Sequence, residues 1–502
     1  MEFVEVKVHP SSALLRREDQ LAWRLAGVAA DKAGVEKAVA EMIINRIIDN
    51  AGVAIAAINR RPVVSARGMA LGHRRKRGAT VFGLPSRVTA SPEWAAWANG
   101  TAVRELDYHD TFLAAEYAHP ADNIPPILAV AQQQGRSGRD LIRAIATAYE
   151  IHIALARGIC LHDHGIDHIT HLCPAQAAGI GTLLRLRQAV IYQAVQQAVH
   201  VSLTTRQSRT GQISSWKAYA PAHAGKLAVE AVDRAMRGED SPSPIYEGEN
   251  AIIARVLGGR DAVYRVPLPA PGEPKRAILS SYTKEHSAEY QAQALIDLAF
   301  RMRREIADFE AIARIVIHTS NHTHVVIGSG ANDPQKMNPD ASRETLDHSI
   351  MYIFAVALQD GGFDHVKSYT PARAHRPDTV RLWHKIETRE DPEWTRRYHT
   401  EDLAEKAFGG RVEILFNDGS RLLDEMAVAN AHPLGARPFS RPDYVKKFTG
   451  LTSDIITPRE RDRFLQAAQN LAALPAGTLG ELNLALPSGA LRDSKPGIFR
   501  EP

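Results

Sequence analysis

Between residues 107 and 123 the sequence concentrates side chains that can exchange protons near neutral pH. Asp107, His109 and His119 lie in this stretch, and Pro120 restricts the backbone directly after His119. Histidine titrates in the neutral range, and a carboxylate that accepts a ring N–H makes the imidazole more basic. This combination suits general acid–base catalysis. We therefore predict an active site here, with His119 as the principal acid–base residue and Asp107 orienting its ring.

Two further residues of the stretch, Asp110 and Thr111, allow a second interpretation. Both are good N-cap residues, and loops are polar whether or not they carry a function. For either residue alone, capping explains the pattern as well as catalysis does. We favour a site for the group as a whole, because apolar helical segments predicted at residues 94–106 and from residue 124 onward would hold it at the edge of a packed scaffold.

A second concentration of histidines follows, with four in ten positions: His162, His164, His168 and His171. Imidazole is a common ligand of transition metals, so a metal site is one interpretation. The sequence lacks the H-E-x-x-H spacing of zinc enzymes, and its two cysteines do not form a pair at zinc-site spacing. We therefore favour an interpretation without a metal, and capping or solvated positions suffice for His162, His164 and His171.

Two lysines lie in polar stretches that are suited to receive an anion. Lys217 ends a glycine-containing loop, residues 206–217, which precedes an alanine-rich helix, and helix N-termini bind anions well. Lys284 lies in residues 281–290, near a predicted domain junction, where ligand pockets are common. An ordinary surface position remains open for Lys284.

Five motifs occur in the order found in the MmgE/PrpD family, which the chain resembles over nearly its whole length. The motifs are Leu106-Asp107-Tyr108-His109-Asp110-Thr111 followed by His119-Pro120, Gly165-Ile166-Asp167-His168, Lys217 before His223-Ala224-Gly225, Lys284 in residues 281–290, and Ser349-Ile350-Met351-Tyr352. This family contains 2-methylcitrate dehydratases and cis-aconitate decarboxylases.

The resemblance implies roles for nine residues. It implies catalytic roles for His119, Asp107, His168, Thr111 and Tyr352, and substrate-binding roles for Lys217, Lys284, Asp110 and Arg209. It also implies a homodimer that acts on a small tricarboxylate. The residue types agree with this, because cations hold carboxylates and stabilise developing negative charge, while histidines transfer protons.

The implied activity is dehydration of 2-methylcitrate, and of citrate, to the corresponding cis-aconitate, in propionate catabolism by the methylcitrate cycle. Two alternatives stay open: decarboxylation of cis-aconitate to itaconate, and a non-catalytic helical binding protein. Aconitase-type dehydratases carry an iron–sulfur cluster, usually on three or four cysteines. Because the chain has only Cys160 and Cys173, we expect a hydro-lyase that works without this cluster and without any other metal or cofactor.

The composition indicates an ordinary globular protein, with 44% hydrophobic and 24% charged residues. The net charge is only +4, and we interpret the basic run at residues 74–77 as a solvated loop, because no aromatic residues interleave with it as in nucleic-acid sites. The N-terminus lacks the features of a signal peptide, and the longest apolar run, residues 51–58, is far below the ~20 residues that span a bilayer. With so few cysteines, we expect a cytoplasmic protein with no nucleic-acid or membrane partner.

Hydrophobic periodicity predicts a mostly α fold in three parts. Residues 1–274 are expected to form the N-terminal part of a large all-helical domain, because helical apolar stripes and alanine dominate there. Residues 275–430 are predicted to form a smaller α+β lid domain. Residues 431–502 are expected to be helices that pack back on the helical domain. The predicted strands are residues 312–316 and 323–327 and a hairpin over residues 412–423, around Asn417-Asp418-Gly419.

Overall fold

A computed structural model describes residues 1–400 and 402–499. About 51% of the chain is helical and the sheets are few and small, so the predicted mostly α class is confirmed. The α-helices are α1 Leu21–Ala30, α2 Lys37–Ala56, α3 Arg61–Leu71, α4 Pro92–Arg104, α5 Ile124–Gln133, α6 Gly138–Gly158, α7 Ile169–Leu184, α8 Gln188–Val201, α9 Trp216–Met236, α10 Ile252–Val256, α11 Gln293–Met302, α12 Asn321–Val326, α13 Arg343–Leu346, α14 Ile350–Asp360, α15 Pro371–Ala374, α16 Pro377–Trp383, α17 Pro392–His399, α18 Arg441–Thr452 and α19 Pro458–Gln469. Within the described residues, none of these helices is long and apolar enough to cross a membrane.

In the described part of the chain, the strands form one four-stranded sheet and three small two-stranded pairs. They are β1 Glu2–Lys7, β2 Arg74–Thr80, β3 Thr89–Ala90, β4 Phe112–Leu113, β5 Tyr117–Ala118, β6 Val263–Leu268, β7 Ile312–Thr319, β8 Ile386–Glu390, β9 Gly410–Phe416 and β10 Arg421–Met426. The larger sheet has the strand order β10-β9-β7-β8. Strands β7 and β8 are parallel, whereas the pairs β10–β9 and β9–β7 are antiparallel. The hairpin predicted around Asn417 is confirmed as β9 and β10.

The largest hydrophobic core joins the N-terminal helices to the last two helices of the chain. Ile43 of α2, Ile145 of α6, Phe448 of α18 and Phe464 of α19 belong to one buried cluster. Close packing explains a glycine in α2, because a Cβ atom on Gly52 would lie 3.2 Å from the Cα atom of Phe448. A second core lies between the four-stranded sheet and helices α11 and α14.

Helices α4 and α9 cross closely, and this crossing positions charged residues at their ends. Gly100 of α4 faces Ala222 of α9, and a Cβ atom on Gly100 would lie 3.1 Å from the Cα atom of Ala222. A side chain at position 100 would push the two helices apart by a few tenths of an ångström, so glycine favours this approach. The close crossing brings Arg104, the last residue of α4, towards Lys217 in the first turn of α9.

Three local predictions are wrong. Residues 323–327 are largely in helix α12, because Ser320 caps it by accepting a hydrogen bond from the Thr323 N–H, and this outweighs the β-branched run. The N-terminus is strand β1 rather than helix, since it pairs with β6 more than 250 residues away. The basic run at residues 74–77 is exposed as expected, but it lies in β2 and not in a loop.

Replacing Phe448 with alanine should reduce the free energy of unfolding by about 3–5 kcal/mol, because it leaves a cavity between α18 and α2. Urea denaturation followed by circular dichroism measures this change. The matched control is Leu14→Ala, since Leu14 is 92% exposed and its loss should change the same quantity by less than about 0.5 kcal/mol. Equal effects of the two substitutions would show that the last helices contribute little to this core.

Candidate active site

The stretch between α4 and α5 is buried, although it is rich in polar residues. After α4 the chain turns at Asp107, whose φ of +49° is unusual for a residue other than glycine but tolerated by aspartate. The short strands β4 and β5 then pair, and a single turn at Pro120–Asn123 leads into α5. The local folding therefore directs the polar side chains into the protein rather than into solvent.

Asp107 is the meeting point of three buried cations. Its Oδ1 atom lies 2.7 Å from Lys284 Nζ and 3.1 Å from Arg104 Nη1, and its Oδ2 atom lies 3.1 Å from Lys217 Nζ. Burial by itself would raise the pKa of Asp107, but the charges of Arg104, Lys217 and Lys284 outweigh it and hold that pKa well below its usual value. The carboxylate is therefore ionised at neutral pH.

A second carboxylate, Asp347, connects this group to the part of the chain that carries the four-stranded sheet. Asp347 Oδ1 lies 2.9 Å from Lys217 Nζ, and Oδ2 lies 2.9 Å from Arg343 Nη1. His348 Nδ1 also contacts Asp347 Oδ1, at 2.5 Å, and burial lowers the pKa of His348 to about 4. His348 is consequently neutral at physiological pH.

Among the ion pairs of this buried group, the cations outnumber the carboxylates. Its four cations are Arg104, Lys217, Lys284 and Arg343, and its two carboxylates are Asp107 and Asp347. All six side chains are at most 8% exposed. A surplus of buried positive charge is costly, and a bound anion relieves that cost. The electrostatics therefore favour a ligand with several negative charges.

His119 lies beside this group, and its hydrogen bond shows which ring nitrogen carries the proton. Its Nδ1 atom is 3.0 Å from the carbonyl oxygen of Asp110, which can only accept, so Nδ1 carries the proton. Burial and the neighbouring charges of Arg104 and Lys284 hold the pKa of His119 well below 6.5. The ring is thus neutral, and its Nε2 atom, for which no hydrogen bond is found among the described residues, has a lone pair that can accept a proton. The ring partner expected from the sequence was Asp107, whereas the structure places the Asp110 carbonyl there.

His168 lies directly before helix α7, and its ring centroid lies 5.4 Å from that of His119. Its Nδ1 atom is 2.8 Å from Asp167 Oδ1, and its Nε2 atom is buried without a hydrogen-bond partner in the described residues. Burial lowers the pKa of His168, although Asp167 opposes this. Arg209 and Ser208 both donate to Asp167 Oδ2, at 2.9 and 2.7 Å, and thereby fix the carboxylate.

The structure brings together five of the nine predicted site residues: Asp107, His119, His168, Lys217 and Lys284. Arg209 contacts the group through its ion pair with Asp167 and through a 3.5 Å hydrogen bond from Nη1 to the Lys217 carbonyl. Thr111 lies in the same loop, where its hydroxyl donates to the carbonyl of Ala118. Thr111 therefore fastens β4 to β5 in this structure.

Asp110 and Tyr352 make other contacts. Asp110 accepts hydrogen bonds from the Ala121 N–H and the Tyr149 hydroxyl and pairs with Arg46, so its carboxylate is already occupied. Tyr352 lies in the core under the sheet, where its hydroxyl donates to the carbonyl of Ser368 at 2.5 Å. Neither side chain contacts the buried charged group through any hydrogen bond or ion pair recorded for the described residues.

Four residues of the group were not identified from the sequence: Arg104, Asp167, Asp347 and Arg343. Asp167 and Asp347 each directly precede a histidine, and this Asp-His pairing was a usable signal. Arg104 stands three residues before Asp107 within an apolar helix, and the sequence alone gives no reason to turn it inward. Arg343 donates to the Leu106 carbonyl and the Ser287 hydroxyl, which are remote in sequence.

Three sets of described residues are close enough to share a metal ion: Asp107–His109–His119, Asp107–Asp347–His348 and Glu285–His286–Asp297. Asp107 belongs to two of these sets, and three cations already contact it. Two unit charges 4 Å apart interact by about 4 kcal/mol at an effective dielectric constant of ~20, so a divalent ion would be strongly repelled there. In the third set Glu285 pairs with Arg437 at 2.7 Å. The histidines near residue 165 diverge, since His164 bonds Tyr264 and His171 bonds the Ile159 carbonyl.

Comparison with known proteins identifies the family. The MmgE/PrpD N-terminal domain matches residues 19–265, and the MmgE/PrpD C-terminal domain matches residues 286–473. The chain therefore belongs to the MmgE/PrpD family, as the motifs had indicated.

Similar proteins over most of the chain are dehydratases by name. The 2-methylcitrate dehydratase of Cupriavidus necator is 27% identical over 465 residues, which cover 87% of this chain and 90% of that protein. The probable 2-methylcitrate dehydratase of Saccharomyces cerevisiae is 28% identical, with 70% and 69% covered. An alkylcitrate dehydratase, phiI, from a fungal species is 25% identical, with 75% and 76% covered. The predicted enzyme class, a carbon–oxygen lyase, is confirmed by these relatives.

Replacing Asp107 with asparagine should lower the free energy of unfolding by about 3–5 kcal/mol at neutral pH, because three buried cations lose a shared counter-charge. Because the folded-state pKa of Asp107 is lowered, its contribution is fully present above the unfolded pKa of ~3.9 and is lost as the pH falls through the folded value. Urea denaturation at several pH values measures both effects.

The control for this measurement is Asp19→Asn, which removes a carboxylate from an exposed pair with Arg16. Surface pairs contribute about 0–1 kcal/mol, so this variant should be nearly as stable as the unmodified protein. A small effect of both substitutions would mean that Asp107 does not hold the buried cations together.

Proposed function

We propose that this protein is a hydro-lyase that dehydrates 2-methylcitrate, and also citrate, to the corresponding cis-aconitate without an iron–sulfur cluster. The main support for the proposal is that buried cations outnumber their carboxylate partners beside His119 and His168. The His168 Nε2 atom has no hydrogen-bond partner among the described residues, and His119 holds its proton on Nδ1. A citrate-type substrate has three carboxylates and must lose a proton and a hydroxyl group. The cations of the site can bind the carboxylates, and the two histidines can transfer the protons.

Lys217 and Lys284 hold substrate carboxylates in this proposal. Both ammonium groups are buried and now share Asp107, so a substrate carboxylate can replace part of that contact. Loss of a proton from the carbon next to a carboxylate places negative charge on the carboxylate oxygens. Fixed ammonium groups in a buried site stabilise that charge as it develops, which lowers the barrier.

His119 is the base, because its ring is neutral and its Nε2 lone pair is available. It takes the proton from the carbon atom, and the electron pair of the C–H bond forms the new double bond. His168 acts in its protonated form and delivers its Nε2 proton to the departing hydroxyl group, so that the C–O bond breaks, water leaves and the His168 ring becomes neutral. Asp167 suits His168 for this role, since a carboxylate on Nδ1 stabilises the protonated ring.

We base the proposed absence of an iron–sulfur cluster on the number and the contacts of the cysteines in the chain. Three or four cysteines usually hold an iron–sulfur cluster, and this chain has two. Cys173 is buried with its thiol donating to the Ala224 carbonyl, whereas Cys160 contacts Glu116. Lysine ammonium groups take over the charge stabilisation that a metal ion provides in other hydratases.

The sheet-bearing part of the chain is proposed to act as a lid. Lys284, Arg343 and Asp347 come from residues after 274, while Asp107, His119 and Lys217 come from the helical part. Because the whole group is buried, substrate enters only when these two parts separate, and closure then excludes water.

Purified protein should convert 2-methylcitrate and citrate to products with the ultraviolet absorbance of a conjugated alkene, and a chelator should leave the rate unchanged. The physical reason is that protein cations, not a metal ion, bind the carboxylates. The assay follows absorbance with each substrate, and a parallel assay with cis-aconitate follows the release of carbon dioxide.

Three results would contradict this proposal. Activity that disappears with the chelator and returns with iron would show a metal requirement. Carbon dioxide release from cis-aconitate without hydration or dehydration would make the protein a decarboxylase. Turnover of none of the three compounds, with no thermal stabilisation by citrate, would favour a non-catalytic binding protein.

His119→Gln should lower kcat about 10²–10⁴-fold with little change in KM, because the base is lost while the substrate contacts remain. In the unmodified protein, kcat/KM should fall as the pH is lowered through the pKa of His119, which lies well below 6.5, because the base becomes protonated. Steady-state kinetics over a range of pH values test both statements.

The matched control is His171→Gln. His171 is also buried, and burial lowers its pKa to about 4, but its Nε2 atom donates to the Ile159 carbonyl outside the charged group. Its replacement should change kcat by no more than a few-fold. Similar losses in both variants would attribute the His119 effect to damaged packing rather than to a lost base.

A further inference from the structure

Arg104 is the least satisfied cation of the buried group. Its side chain is 3% exposed, and its only ion pair with a described residue is the 3.1 Å contact from Nη1 to Asp107 Oδ1. Neither Nε nor Nη1 makes a hydrogen bond of acceptable geometry with any described residue. Buried polar groups nearly always find partners, and an exception indicates a ligand, a water molecule or a catalytic role.

Other buried arginines of this protein are better satisfied. Arg46 donates to Tyr444, to Thr283 and to both oxygens of Ser281. Arg67 donates to the main-chain carbonyls of Ile58 and Arg492. The shortage of partners at Arg104 is therefore particular to its position and is not a general property of arginines in this fold.

Arg104 can move away from Asp107 without leaving that carboxylate unpaired. Asp107 Oδ1 lies 2.7 Å from Lys284 Nζ, which additionally donates to the Asp107 carbonyl at 3.0 Å. Lys217 has Asp347 as a second carboxylate partner at 2.9 Å. Moving Arg104 from Asp107 to another carboxylate consequently leaves Asp107 paired with two lysines, so this exchange costs little.

The location of Arg104 suits a group that binds substrate. Its charge contributes to the lowered pKa of both His119 and His168, so the guanidinium lies within electrostatic reach of the two rings. A carboxylate bound at Arg104 would therefore lie beside the rings that exchange protons. A guanidinium presents several N–H donors in a rigid plane, and this geometry matches a carboxylate.

We propose that Arg104 binds one carboxylate of the substrate, in addition to those bound by Lys217 and Lys284. This inference rests on the proposed function, and it assigns one cation to each carboxylate of a tricarboxylate. It makes Arg104 a residue that determines specificity, because a dicarboxylate would leave one buried cation without its partner. A site that binds a polar group of the substrate strongly rejects analogues that lack this group. A hydrophobic pocket discriminates less between substrates of slightly different size.

Binding of three non-reactive acids tests the inference by isothermal titration calorimetry. Tricarballylate carries three carboxylates, glutarate lacks the central one, and methylsuccinate lacks a terminal one. Arg104→Gln should raise the Kd of tricarballylate about 10- to 100-fold, the range for a charge-assisted hydrogen bond. For the dicarboxylate that lacks the carboxylate recognised by Arg104, the same variant should change Kd by less than about threefold, since that contact never forms.

Two further variants keep this test decisive. Arg104→Lys retains the charge and should show a smaller loss with the same dependence on the ligand, even if the glutamine variant does not fold. Arg67→Lys alters a buried arginine whose partners are main-chain carbonyls, and it should leave the relative affinities for the three acids unchanged.

An equal loss for all three acids, or no loss for any of them, would overturn the inference and leave Arg104 as a support for Asp107. The proposed function would stand in that case if the unmodified protein dehydrates 2-methylcitrate or citrate. Failure of the unmodified protein both to bind tricarballylate and to turn over either substrate would overturn the function as well as the inference.

Discussion

Asp107 joins charges that arrive from three separate parts of the chain: Arg104 at the end of α4, Lys217 at the start of α9, and Lys284 near the beginning of the sheet-bearing part. Each of these cations is buried, and a buried charge without a partner costs several kcal/mol. The parts of the chain must therefore assemble around this carboxylate for any of the three to be stable. The close crossing of α4 and α9 at Gly100 and the turn at Asp107 both serve this assembly.

The same burial reconciles two requirements that conflict in water. Cations are needed to hold an anionic ligand, while the proposed base, His119, must stay neutral to accept a proton. Burial lowers the pKa of His119 and His168, and the nearby cations lower that of His119 further. Their orientation comes from the Asp110 carbonyl and from Asp167, which Arg209 and Ser208 fix in turn. Most of the polar residues in this region thus act by positioning others.

Sequence reasoning identified the components that depend on local pattern. Helical periodicity gave the mostly α class, and the Asn417-Asp418-Gly419 turn between apolar runs located the hairpin. Asp107, His119, His168, Lys217 and Lys284 were found because they occur in short motifs whose order is typical of the family. Such features are encoded within a few residues of one another, and they can therefore be read before any long-range contact is known.

Only the tertiary structure decided how these residues are connected. Strand β1 exists because β6 lies beside it, and α12 replaces a predicted strand because of one capping side chain. The sequence could not show that Asp110 is occupied by Arg46 and Tyr149, or that Tyr352 lies in the core under the sheet. The chain by itself determined which chemical groups are present. Which of them meet was decided by packing between segments more than a hundred residues apart, because the energy of a buried charge depends on neighbours that no local pattern specifies.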